Sequence, residues 1–164
     1  MPQIIEPIVQ GRADVVLGSR LKNGSALAQG MPWWKYVSNR FLTWVENTAF
    51  GLRLSEYHTG YRAFRREVLE TVNFRMNSDG FIFDQEIVAQ VVTSGFRIGE
   101  IAVPTRYFPE ASSASFTASA VYGLKILGLI GRYLLHTRGF VRSRGFESLR
   151  ARYTQLPTAR THAA

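Results

Sequence analysis

Apolar and polar positions in this chain follow two periods, and the changes from one to the other mark its elements. Pro2 to Gly11 reads as a short amphipathic helix, weakened by Pro7 and ended by Gly11. Ala13-Asp14-Val15-Val16-Leu17-Gly18 is a continuous run rich in β-branched residues, which predicts a buried strand of a parallel sheet. After a Gly, Ser and Asn containing loop from Leu21 to Pro32, Trp34, Val37, Phe41, Trp44, Val45 and Thr48 share one helical stripe, while Lys35, Asn39, Thr43, Glu46 and Asn47 lie elsewhere. That spacing predicts a helix packing its aromatic stripe into the core and ending at Gly51.

Thr59-Gly60 reads as a tight turn, followed by an extended segment with Arg62 and Phe64 on one face and Tyr61, Ala63 and Arg65 on the other. A short helix is expected over Glu67–Val72. Asn77-Ser78-Asp79-Gly80 then offers capping chemistry for a helix that buries Phe83, Ile87, Val88, Val91 and Val92. Gly95 to Pro104 supplies another strand, with Pro104 favouring a sheet edge. The stretch 118–137 is apolar except for a cationic line of Lys125, Gly128, Arg132 and His136. Two charges argue against a single membrane span; the stretch is either a helix in the membrane interface or one packed on the protein's own sheet. Beyond Thr137 the periodicity fades, so 138–164 is expected to be a basic, disordered tail, leaving 1–117 as the main domain.

Composition changes this picture in two places. The chain has no cysteine, which removes disulfides and thiolate metal sites and suits a reducing compartment, and its three histidines are too dispersed for a zinc site. No positive stretch followed by an apolar one opens the chain, so no signal peptide is expected. Most of the net charge of +8 comes from the C-terminal segment, where seven arginines from Arg132 onward face the single acid Glu147, and the preceding part of the chain is close to neutral. Such a segment faces anionic lipid, nucleic acid or water; nucleic acid is the weakest of these, because no aromatics alternate with the arginines.

The candidate chemistry is anionic. Arg20 emerges at the carboxyl end of the first strand, where ligands bind in open α/β sheets, with a salt bridge to a nearby acid as the ordinary alternative. Arg62 beside the Thr59-Gly60 turn presents a planar fork of donors suited to phosphate, or is a solvated surface arginine. Asp84 and Glu86 begin a helix, where the helix dipole alone accounts for them; otherwise one acts as a base or acceptor contact. The loop with Arg106, Ser112 and Ser113 is suited to closing over a phosphate.

Taken together, Val15-Val16-Leu17-Gly18-Ser19-Arg20, Thr59-Gly60-Tyr61-Arg62-Ala63-Phe64-Arg65, Phe83-Asp84-Gln85-Glu86-Ile87 and Glu100-Ile101-Ala102-Val103-Pro104-Thr105-Arg106-Tyr107 with Ser112-Ser113 resemble the C-terminal half of family 2 glycosyltransferases. The subgroup is that of dolichol-phosphate mannosyltransferases and related polyprenyl-phosphate sugar transferases. The resemblance implies an α/β GT-A fold with a mixed sheet, a nucleotide-diphospho-sugar donor, a divalent Mg²⁺ or Mn²⁺, and inverting transfer to a lipid phosphate. It also implies phosphate contacts by Arg20 and Arg106, an acceptor-side element of Thr59, Gly60 and Arg62, and an acidic helix start at Asp84 and Glu86.

The chain departs from that pattern because no Asp-x-Asp metal motif occurs in it. The expectation is therefore an incomplete GT-A fold: the acceptor side is present, the donor and metal half is missing, and a partner chain supplies that half for activity. The competing expectation is a non-catalytic remnant that binds anionic membrane through 118–137 and the arginine tail. Both place the protein in the cytoplasm, or peripherally at the cytoplasmic face of the membrane.

Overall fold

The computed structural model describes residues 3–24, 26–104 and 116–149. Its centre is β1 (Val15–Ser19), every residue of which is buried. β1 runs antiparallel to β2 (Arg62–Phe64), with Val16 opposite Ala63, and parallel to β3 (Ile98–Ala102), with Leu17 opposite Glu100. The order β2-β1-β3 makes the sheet mixed and puts β3 at an edge, as Pro104 suggests. Alternation along the central strand feeds two clusters: Val15 and Leu17 enter the main core, while Val16 meets Ile4 and Ala13 on the other face. A short 3₁₀ turn, Gln3–Ile5, and α1 (Glu6–Val9) cover that second face.

Gly18 is required by close packing: a Cβ there would stand 2.7 Å from the Tyr61 ring and 2.9 Å from a Val103 methyl. Phe64 packs on the main core and Ala63 on the smaller cluster, so the alternation expected around Arg62 is the one observed. The main core is closed by α3 (Arg66–Thr71), α4 (Phe83–Thr93) and α5 (Phe116–Thr137), which contribute Val68, Ile87, Val88, Val91, Ile126, Leu129, Ile130 and Tyr133. The result is an α/β arrangement with a small mixed sheet, compatible with part of a GT-A fold.

Three expectations are corrected. In α2 (Trp33–Phe50) the buried line is Asn39, Thr43, Glu46 and Phe50, and Val37, Phe41 and Trp44 of the aromatic stripe face outward. The cause is the chain that follows: Asn47 Nδ2 donates to the Leu54 carbonyl at 2.8 Å, the Leu54 N–H donates to Asn47 Oδ1 at 2.9 Å, and Asn39 Nδ2 reaches Glu56 at 2.8 Å. A polar strap lies along the polar face, so that face is the one covered. Second, α4 has no side-chain cap; Ser78 instead donates its N–H and hydroxyl to Glu86, while Phe83 is partly exposed and Gln85 and Gln90 are buried.

Third, the first part of the supposed disordered tail is ordered on the core. Phe146 is buried against Tyr133, Gln90 Nε2 donates to the Gly145 carbonyl at 2.8 Å, and the Leu149 N–H donates to the Thr71 carbonyl at 2.8 Å. One aromatic anchor with backbone hydrogen bonds is enough to hold a segment that has no periodicity. α5 is long and apolar enough to cross a membrane by length and composition, and is the one such helix among the described residues. One of its faces packs on α2 and α4, and the opposite face carries exposed Val121, Leu124, Leu127 and Leu135.

Candidate functional site

At the carboxyl end of β1 the strand delivers Arg20 to the segment 54–58, and a buried polar network forms there. The Arg20 backbone N–H donates to Glu56 Oε2 at 2.7 Å and its Nε to Oε1 at 2.9 Å; Nη2 contacts Oε1 and donates to the His58 carbonyl at 2.9 Å. Glu56 is wholly buried, whereas a quarter of the Arg20 side chain remains exposed. The salt-bridge alternative for Arg20 is therefore present, and it fixes the guanidinium at the end of the strand where a ligand-binding arginine would stand.

α2 braces this pair from behind. Asn39 Nδ2 donates to Glu56 Oε1 at 2.8 Å, and Asn39 Oδ1 lies 3.2 Å from both Thr43 Oγ1 and His58 Nδ1. His58 Nε2 stands 3.1 Å from Glu46 Oε2, and Glu46 is wholly buried. Both ring nitrogens of His58 thus face oxygen.

Arg62 closes the other side. Its Nε donates to the Thr59 carbonyl at 2.7 Å, Nη2 to the Tyr57 carbonyl at 2.9 Å, and Nη1 to the Asp84 carbonyl. Its side chain is only 4% exposed, and burial lowers its pKa from the ordinary arginine value. It clips the Tyr57–Thr59 turn to the start of α4, with Asp84 Oδ1 3.9 Å from its Nε. Gln85 Nε2 adds bonds to the Tyr57 carbonyl and the Tyr122 hydroxyl at 3.3 and 3.0 Å, and burial pushes the Tyr122 phenol up to about 12. Tyr57 is raised too, again chiefly by burial.

Arg20, Thr59, Gly60, Arg62 and Asp84 are therefore brought together. Glu86 is not: two residues further on it lies on the far side of α4. There it pairs with Arg132 at 3.0 Å and lines a cleft of about 350 Å³ with Ser78, Lys125 and Gly128. The cationic line of α5 thus faces this cleft in part. Arg106, Ser112 and Ser113 lie outside the described residues. Glu46, Glu56, His58 and Asn39 are the network members that sequence reasoning missed. For Asn39 and Glu46 the signal was the polar i, i+4, i+7 line of Asn39, Thr43 and Glu46, opposite the aromatic stripe.

Among the described residues the carboxylates do not come together as a Mg²⁺ or Mn²⁺ site. Glu56 is taken by Arg20, Glu86 by Arg132 and Ser78, and Asp14 by Arg97 and Arg65, and no group of three metal-ligating side chains occurs among the described residues.

The chain is 28% identical, over 82% of its length, to a polyprenol monophosphomannose synthase of Mycolicibacterium smegmatis, of which it covers 51%. It is 31% identical over 70% of its length to a low-salt glycan biosynthesis hexosyltransferase of Haloferax volcanii, covering 27% of that protein. With a UDP-N-acetylglucosamine–dolichyl-phosphate N-acetylglucosaminyltransferase of Methanococcus voltae it shares 27% identity over 76% of its length and 48% of that protein's. The chain spans about half the length, or less, of these curated relatives. Neither a family model nor a solved structure matches it. These relatives, with the Gly18-Ser19-Arg20 and Thr59-Gly60-Tyr61-Arg62 elements meeting at one strand end, support the resemblance of the chain to the family 2 polyprenyl-phosphate sugar transferases.

Proposed function

We propose that this chain forms the acceptor side of a sugar transfer from a nucleotide-diphospho-sugar to a polyprenyl phosphate. The observation that carries the proposal is the Arg20 fork, locked at the carboxyl end of β1 by Glu56 and the His58 carbonyl while still reaching the surface. Folding has already ordered this side chain, so little conformational entropy remains to be lost when it meets a phosphate. Thr59 and Gly60 form the adjoining turn, Arg62 fixes that turn from below, and by the family resemblance Arg106, Ser112 and Ser113 serve the acceptor phosphate as well.

A phosphate monoester acceptor is anionic at neutral pH and attacks without a strong base. Asp84 accordingly acts as a contact beside Arg62, and Glu86 holds α4 to α5. The nucleotide-diphospho-sugar and its divalent metal are held by a donor-side half, in a partner chain or further sequence, and this GT-A unit is inactive without it. The supporting fact is that the three aspartates, Asp14, Asp79 and Asp84, form no Asp-x-Asp.

Calorimetric titration tests the division of labour. A short-chain polyprenyl phosphate should bind the purified chain, and GDP- or UDP-sugar with Mn²⁺ should not. Metal-dependent nucleotide binding would overturn the acceptor-only reading, and failure of the lipid phosphate to bind would overturn the acceptor site.

A further inference from the structure

The cleft between α4 and α5 lies outside the network that holds Arg20, and its charge is unbalanced. Lys125 and Arg132 line it from α5 and Glu86 from α4, so two cations meet one carboxylate. That carboxylate is already spent within the protein. Glu86 is buried; its Oε2 accepts the Ser78 N–H at 2.6 Å, and its Oε1 takes the Ser78 hydroxyl at 3.2 Å and Arg132 Nη2 at 3.0 Å. Arg132 spends that one nitrogen on Glu86 and its side chain is 59% exposed, so part of its five-donor fork is still on offer. Lys125 is exposed, and among the described residues no acid pairs with it.

Beneath the charges the cleft is apolar, because Ile82 and Leu129 line it and are themselves buried. Gly128 lies between the two cations, one turn from each, at about 4.5 Å and 6 Å along the axis. A Cβ on Gly128 would meet nothing within 4 Å, so packing does not demand glycine there, although glycine weakens a helix interior. Its missing side chain leaves the space between Lys125 and Arg132 open. The resulting volume, about 350 Å³, falls in the range of small-ligand sites.

The lining selects the ligand. A guanidinium fork and an ammonium on either side of one gap suit the oxygens of a phosphate dianion, whereas a monocarboxylate would answer only one of them. The apolar lining calls for an organic body attached to that headgroup.

We propose that the α4–α5 cleft binds a small organic phosphate monoester from solution, with its headgroup between Lys125 and Arg132 over Gly128 and its apolar body on Ile82 and Leu129. The site is separate from that of Arg20. α4 stands between the two, with the Asp84 carbonyl and Gln85 turned to Arg62 and Tyr57, and Glu86 turned to the cleft. The proposal therefore stands apart from the acceptor reading.

The test is a titration of the ¹⁵N-labelled full chain with phenyl phosphate, in buffer without lipid, following the Ser78 and Gly128 amides by NMR. Neither amide belongs to the Arg20 network, so binding there does not stand in for binding in the cleft. Both signals should shift saturably, and phenyl phosphate should bind several-fold more tightly than inorganic phosphate. Followed at the Ser78 amide, K125Q should weaken binding about tenfold by losing a charge-assisted bond, and G128L should abolish it by filling the gap. Lys125 is exposed and a side chain at Gly128 meets no neighbour, so urea midpoints of both variants should match or exceed wild type.

The absence of a saturable shift at Ser78 and Gly128 in the wild-type chain would overturn the proposal whatever the variants do. So would an unchanged affinity in K125Q or in G128L, or a response to phosphatidic acid vesicles with none to phenyl phosphate. Equal affinity for phenyl phosphate and inorganic phosphate would overturn the apolar seat.

Discussion

The Glu56→Gln variant tests whether the Arg20 site is held as described. Glu56 accepts from the Arg20 backbone N–H at 2.7 Å, from Arg20 Nε at 2.9 Å and from Asn39 Nδ2 at 2.8 Å, and it is wholly buried. A neutral amide keeps one acceptor and turns its other end into a donor aimed at donors. Breaking a fully buried ion pair costs about 3–5 kcal/mol. Arg20 is a quarter exposed, so screening lowers the expected loss to about 2–3 kcal/mol.

That is a large share of the roughly 5–15 kcal/mol that holds a domain folded. In urea unfolding with a slope of about 2 kcal/mol/M, the midpoint should fall by about 1–1.5 M at unchanged slope. R20M should also destabilise, since it leaves Glu56 buried and unpaired, while R20M/E56L should lose less than the sum of R20M and E56L by at least about 1.5 kcal/mol. A midpoint for Glu56→Gln within about 0.2 M of wild type, or strict additivity in the cycle, would refute the buried pair as the organiser of the site.

Three further outcomes follow from the same geometry. Arg97, by hydrogen bonds first and by its charge, holds the Asp14 carboxyl below its ordinary 3.8, so this contribution to stability is complete above about pH 4 and is lost as pH falls further; acid unfolding of D14N should show a shallower pH dependence. Burial raises Tyr122 to about 12 against 10.0 when unfolded, so stability is full below pH 10 and declines from there to pH 12; Y122F should flatten that decline in a pH series of urea melts. Gly18→Ala places a methyl 2.7 Å from the Tyr61 ring and should cost about 1–3 kcal/mol by thermal or urea unfolding, with a wild-type midpoint contradicting the packing.

Much of the sheet was legible in the sequence because period and punctuation agreed. Val15 to Leu17 is too apolar to be anything but buried, Gly18 closes the run, and Arg62 and Phe64 alternate with Ala63 as a strand requires. α2 was legible as a helix but not in its orientation. Periodicity fixes which residues share a face and not which face is covered, and here Asn47, Leu54 and Glu56 decide the matter through long-range hydrogen bonds.

At the site, Arg20 and Arg62 were readable as fork-bearing residues near a turn. That Arg62 would spend its donors on three backbone carbonyls, and that Glu86 would turn away toward Arg132, depends on how α4 docks. Residues 138–149 hold to the core by Phe146 and a few backbone bonds, a contact too sparse to leave a periodic trace.

The central claim is that Arg20 receives the phosphate of a lipid acceptor, and its most direct test is the affinity of farnesyl monophosphate, measured calorimetrically for wild type and for Arg20→Lys with farnesol as the uncharged control. Lysine keeps the charge beside Glu56 and loses the planar fork. The account predicts phosphate-dependent binding that falls about tenfold in the variant, since losing one charge-assisted bond to phosphate removes about 1.5 kcal/mol. Equal affinity in the two proteins, or equal affinity for farnesol and its phosphate, would contradict it.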